Sequence, residues 1–185
     1  MARVHVTPET FTLVFYDAAQ IADVAERVAN DAGLPADTEI FVEVIEETPL
    51  GQVTMQSLDP IRMRVEGGAF EDPKRPRRPS EAIMLDTFAR TLFRVADRRE
   101  PAFADAPVDD KVSLAEAVAW DAYSVGRATR LGYPTQRQRR LYAFRNRHGF
   151  TDVADAAFEQ LWTAPSCTWA EIVAICAETE AAKPK

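Results

Sequence analysis

Between Arg127 and Phe150 the chain carries seven arginines, at 127, 130, 137, 139, 140, 145 and 147, and no lysine, aspartate or glutamate. A guanidinium is a planar fork of donors that grips a carboxylate or phosphate through two parallel hydrogen bonds and stacks on aromatic rings. Arginine alone at this density points to anion recognition or to ion pairs inside the fold. Tyr133, Tyr142, Phe144 and Phe150 are interleaved with these residues, and His148 follows Arg145-Asn146-Arg147. The whole chain carries −7 and this segment +7, so the remainder carries −14.

Several uses of that separation stay open. The arginines can pair with carboxylates of the same chain, such as Asp86, Asp97, Asp121, Asp152 and Asp155, where partly buried pairs would serve orientation more than stability. They can form a site for an anionic small molecule or an acidic protein partner. They can contact a nucleic-acid backbone, a reading that the basic stretch Lys74, Arg75, Arg77, Arg78 favours and the net charge of −7 opposes. A homodimer that sets the arginine-rich face of one copy against an acidic face of the other is a further use.

Helical spacing over 136–147 puts Leu141, Phe144 and His148 on one side, Arg137, Arg140 and Arg147 near a neighbouring face, and Arg139 elsewhere. His148 reads either as a packed, hydrogen-bonded histidine or as an acid–base group with a near-neutral pKa. Tyr123 and Arg127, four apart, share a helix face and with Asp121 could line a pocket. The candidate binding residues are thus Asp121, Tyr123, Arg127, Arg137, Arg140, Arg145, Arg147 and His148. The functional expectation is a binding or assembly protein that engages an anionic ligand or acidic partner through this segment. The alternative is an enzyme of unfamiliar type on an anionic substrate, with His148 or Asp121 moving the proton and Arg127, Arg145 and Arg147 holding the charge.

Other chemistry is not signalled. The sequence contains no G-x-x-x-x-G-K-[ST], no G-x-G-x-x-G and no G-x-S-x-G. A zinc peptidase helix needs two histidines four apart, and the only histidines are His5 and His148. Glu43, Glu46 and Glu47 could gather a divalent cation but read first as a solvated strand end. Glu116 belongs to a capping box opened by Ser113. No cofactor and no metal is expected.

Hydrophobic residues make up 46% and charged residues 28% of 185, the balance of a folded globular chain. The first residues do not read as a signal peptide, and no apolar run approaches the roughly 20 residues of a membrane span. Two cysteines, Cys167 and Cys176, suit reduced thiols and a cytoplasmic protein without membrane contact.

Aromatic and β-branched content predicts a strand over 11–16, followed by a helix from Asp17 to Gly33. Alternation predicts strands over 39–45, around Val53 and Met55, and over 61–66. The stretch 71–79 (EDPKRPRRP) reads as a solvated loop whose prolines forbid regular pairing. Helices are expected over 80–98, from Ser113 to Gly132, over 136–147 and 151–163, and after Thr168, with a loop from Pro101 to Asp110 and fraying after Ala181. Trp120, Tyr123, Phe158, Trp162 and Trp169 read as core. The fold class is α+β, a small mainly antiparallel sheet backed by helices, with an all-helical C-terminal region packed on it. Residues 1–70 form the strand-rich part, 71–79 the loop and 80–185 the helical region, in one cooperative domain.

Overall fold

The computed structural model describes residues 1–183. The class is α+β: every strand lies before Ser80 and only helices follow. Two compact units divide the chain, Met1–Ala96 and the residues from Asp97 onward.

The first unit opens with strand β1 (Arg3–Thr7), in which Val4 and Val6 turn inward while Arg3, His5 and Thr7 are exposed. The expected strand over 11–16 is not formed. The N–H groups of Thr12, Leu13 and Val14 donate instead to one oxygen of Glu46, at 2.7, 2.6 and 3.3 Å. A carboxylate, with a bond from the Phe15 N–H to the Arg77 carbonyl at 2.8 Å, thus replaces the ladder that aromatic content suggested.

Helix α1 (Ala18–Asp31) is capped by the Asp17 side chain, which accepts from the Ala19 N–H. It leads to β2 (Glu39–Ile45), β3 (Val53–Leu58) and β4 (Ile61–Glu66). The strand order is β1-β2-β4-β3. The sheet is small, as expected, but β1/β2 and β2/β4 are parallel and only β3/β4 is antiparallel. Parallel neighbours need a crossover of about a dozen residues or more, which α1 supplies between β1 and β2.

Ile40, Val42 and Val44 of β2 and Ile61, Met63 and Val65 of β4 alternate into the core beside Ile21, Val24, Ala25 and Val28 of α1. Residues 71–79, expected as an unpaired loop, form an antiparallel ribbon of β5 (Glu71–Asp72) and β6 (Arg75–Pro79). Proline confines this ribbon to a short exposed edge rather than preventing it. Helix α2 (Glu81–Asp97) then buries Met84, Phe88, Leu92 and Val95.

In the second unit the expected loop from Pro101 contains two short 3-10 turns, Pro101–Phe103 and Asp109–Lys111. Four helices follow: α3 (Leu114–Arg130), α4 (Arg137–His148), α5 (Asp152–Thr163) and α6 (Trp169–Ala181). Reciprocal capping boxes start α3 (Ser113 with Glu116) and α6 (Thr168 with Glu171), each satisfying two otherwise orphaned amides. The core gathers Trp120, Tyr123, Phe144, Phe158, Trp162, Trp169 and Ile172, as the aromatic spacing predicts. Helices α3 and α5 approach so closely that a Cβ on Gly126 would lie 2.2 Å from the Trp162 carbonyl oxygen. The expected fraying after Ala181 extends to residues 184 and 185, which lie outside the described residues.

Candidate functional site

The arginines of the 127–147 segment divide into those used between helices and those presented outward. Arg127 donates from Nη2 to Asp97 Oδ2 at 2.7 Å, and Trp120 Nε1 donates to the same oxygen at 2.7 Å. The Arg127 guanidinium also lies 4.2 Å from the Tyr123 ring centroid. Tyr123 is buried, and that burial pushes its hydroxyl pKa up. Tyr123 and Arg127 therefore do come together, around Asp97 rather than Asp121.

Asp121 instead faces Arg140 across the α3–α4 seam, at 3.8 Å. Arg145 holds Asp155 of α5 through two bonds, at 2.7 and 2.6 Å. This pairing lowers the Asp155 pKa and raises that of Arg145. Arg137 bonds Glu159 one turn further along α5. Arg130 donates to the carbonyls of Trp162 and Ala164, at 2.5 and 2.6 Å, satisfying the carboxyl end of α5. Arginine fits these roles because a seam between helices presents carboxylates at a fixed angle to a rigid fork.

His148 is 1% exposed and stacks on Phe144 with centroids 3.9 Å apart. Its Nε2 lies 3.0 Å from the Ala115 carbonyl and its Nδ1 lies 2.7 Å from Thr179 Oγ1. A carbonyl only accepts, so Nε2 carries a proton, while Nδ1 lies against a threonine hydroxyl that also reaches the Ile175 and Cys176 carbonyls at 3.0 and 3.1 Å. Burial is the largest cause lowering the His148 pKa. The packed arrangement uses both ring nitrogens and leaves neither directed at solvent.

What remains outward lies on one side of α4. Along α4, Gln138, Arg139, Tyr142, Asn146 and Arg147 are exposed while Arg140, Phe144 and His148 are buried. At about 100° per residue these five exposed positions fall within an arc of about 180°. Arg139 bonds only Gln136, at 3.3 Å, and Arg147 makes no hydrogen bond or ion pair among the described residues. Tyr142 and Phe150, 61% and 65% exposed, meet edge to face with centroids 6.1 Å apart. Gly149, at φ +101°, makes the turn that brings Phe150 back against Tyr142. Arg139, Tyr142 and Phe150 do not stand out as a surface in the sequence because charge and helix phase carry no measure of exposure.

In the same unit, a groove of ≈ 290 Å³ runs between α5 and α6, lined by Asp152, Val153, Ala156, Ala157, Gln160 and Glu178. Asp152 and Glu178 give the lining its charge, and Val153, Ala156 and Ala157 give it apolar surface. A second cavity of ≈ 280 Å³ lies in the first unit against α1, lined by Met1, Asp23, Glu26, Arg27, Asn30 and Asp31. None of the eight candidate residues lines either cavity.

The first unit contributes two further surfaces. On the outer sheet face His5, Phe41 and Arg62 sit in register across β1, β2 and β4. His5 stacks on Phe41 at 4.8 Å and Arg62 lies 4.1 Å from the same ring. On the 71–79 ribbon Lys74, Arg75, Arg77 and Arg78 are all exposed. There Arg75 bonds Asp72 at 2.7 Å, Arg77 adopts φ 62° and Arg78 covers Phe15 at 4.8 Å.

Glu46, considered as a cation ligand, is occupied by the three backbone N–H groups of 12–14. No cluster of three His, Cys, Asp or Glu suited to a metal occurs among the described residues. Among them, too, no helix is long and apolar enough to cross a membrane. No protein-family model, curated protein or solved structure matches this chain.

Proposed function

We propose that this chain is a non-catalytic binding or assembly protein whose helical unit docks an acidic protein partner on the outward side of α4. Arg139 and Arg147 supply the charge, while Tyr142 and Phe150 supply the apolar anchor. The observation that carries this reading is a pair of large, exposed aromatic rings flanked by Arg139 and Arg147, the two segment arginines engaged by neither a carboxylate nor a backbone carbonyl among the described residues. Tyr and Arg dominate the energetics of protein interfaces because each couples a large contact area to directional donors. A flat cationic-aromatic face suits an extended acidic segment better than a small anion, which needs concave walls to be desolvated. A cytoplasmic setting belongs to the same proposal, supported by the free thiols Cys167 and Cys176.

The test uses fluorescein-labelled acidic peptides, each carrying one leucine and one tryptophan among Asp and Glu. Binding should appear by anisotropy at low salt, weaken as salt rises, and disappear in the Arg139→Glu, Arg147→Glu double variant. Peptide binding that the double variant retains would move the site elsewhere.

The nucleic-acid reading draws on the ribbon instead. Phe15, 66% exposed with Arg78 on one face, offers a ring on which a base could stack beside Lys74 and Arg77. A labelled oligonucleotide that binds wild type but not Phe15→Ala would establish it. The enzyme reading draws on His148 and Asp121; the packing of both His148 ring nitrogens and the Asp121–Arg140 contact at 3.8 Å favour the binding reading over it.

A further inference from the structure

We infer that the acidic partner of the α4 face is a second copy of this chain, which receives it in the α5–α6 groove and so forms a two-fold dimer. The inference rests on the proposed function and names its partner.

Three observations converge. The cationic-aromatic face and the acidic groove lie in the same unit and meet along the chain at the turn between α4 and α5, where Phe150 precedes Asp152 by two residues. The two are opposite in charge: Arg139 and Arg147 on one side, Asp152 and Glu178 on the other. They are also opposite in relief. Tyr142 and Phe150 protrude, while the groove at ≈ 290 Å³ sits at the bottom of the ~300–1,000 Å³ range of small-molecule pockets and suits one or two inserted side chains.

A protrusion beside its own complement has a simple solution. A two-fold axis passing between them, normal to the surface, lays the α4 face of each copy on the groove of the other. The same contact is then made twice, and the assembly closes at two copies. In that arrangement Val153, 38% exposed at the groove edge, meets the partner's aromatic pair. Charge complementarity of this kind sets register and speeds encounter while the aromatic anchors supply the affinity.

The same geometry orders the roles of the charges. Swapping the sign of either side alone sets like charges against one another at both contacts of the dimer. Swapping both sides on separate copies restores both contacts in the mixed pair. An arrangement that used only the arginine face, or only the groove, would not show this reciprocity.

The experiment is sedimentation velocity of the full chain over a wide concentration range, at low and moderate salt. The proteins are wild type, Arg139→Glu/Arg147→Glu, Asp152→Arg/Glu178→Arg, and an equimolar mixture of the two variants. Wild type should pass from monomer to dimer, no further, with association weakened by salt. Each variant alone should associate about tenfold or more weakly, and the mixture should recover the dimer. Circular dichroism checks that both variants are folded. The inference is overturned if the mixture is no heavier than its separate components, or if wild type stays monomeric. A wild type that stays monomeric yet binds the acidic peptides through Arg139 and Arg147 loses this inference and keeps the proposed function. A monomer that binds none of them loses both.

Discussion

Arg145 and Asp155 face each other across the α4–α5 seam as a fork on a fork, Nε to Oδ1 at 2.7 Å and Nη2 to Oδ2 at 2.6 Å. Two residues on, Arg147 meets no partner among the described residues. The same residue type thus does two jobs one helical step apart, and mutation should separate them.

Replacing Arg145 or Asp155 with alanine should lower the melting temperature, and the double variant should lose less than the sum of the singles. The Asp155 pKa is depressed in the folded state, so the pair's contribution is present above the unfolded carboxylate value and is lost as pH falls through the depressed one. Melting curves of all four proteins at neutral and strongly acid pH check this, with the coupling vanishing at the acid end. Both side chains are partly exposed, so salt should also shrink it.

Arg147→Ala should leave stability within about 0.5 kcal/mol of wild type, as for surface positions that contact nothing. A larger loss in a denaturant titration would mean that Arg147 is tied into the fold after all, and would remove it from the docking face.

His148 has a folded pKa below its ordinary 6.5 because burial disfavours the charged ring. The unfolded chain therefore takes up the proton first as pH falls. Stability referable to His148 is complete above about pH 6.5 and is lost as pH drops toward the depressed folded value. Proton resonances of the His148 ring against pH should show a titration below its ordinary 6.5. His148→Ala should cost about 2–4 kcal/mol, from the emptied volume against Phe144 and the loss of the two ring-nitrogen hydrogen bonds.

Gly126→Ala should be among the most damaging single changes, since the added methyl would meet the Trp162 carbonyl oxygen at 2.2 Å. That atom is backbone and cannot swing aside, so α3 and α5 must separate. A loss of about 3 kcal/mol, at the upper end of ordinary overpacking costs, is expected, measured by urea unfolding.

Glu46→Ala should release residues 12–14 without unfolding the sheet, while the Phe15 N–H stays on the Arg77 carbonyl. Amide exchange at Thr12, Leu13 and Val14 should speed up strongly while Val42 and Met63 stay protected. Retained protection at 12–14 would show that the segment is held by other means.

Much of the helical half could be read from local chemistry. Ser113 with Glu116 and Thr168 with Glu171 announce helix starts because a cap and its reciprocal glutamate lie three residues apart. Asp97, Asp121 and Asp155, named as partners from charge alone, are indeed bound by arginines of the segment. The failures involve distance in sequence. Nothing near Phe11–Tyr16 reveals that Glu46 will capture its amides, and the alternation Arg3-Val4-His5-Val6-Thr7, which does announce β1, was overshadowed by its aromatic neighbour. Helix phase correctly sets Arg140 beside Arg147. It carries no coordinate along the axis, so it does not reveal that a neighbouring helix covers the first and not the second.

All three tryptophans, Trp120, Trp162 and Trp169, lie in the second unit, buried in its core, and the strand-bearing unit contains none. The chain thus carries a built-in optical label on one half only. Indole emission tracks the helices as they open and is blind to the sheet, whereas far-ultraviolet ellipticity sums both. Superimposable transitions from the two signals would mean that the halves melt as one body, and an offset between them would give each half its own midpoint without any cleavage of the chain.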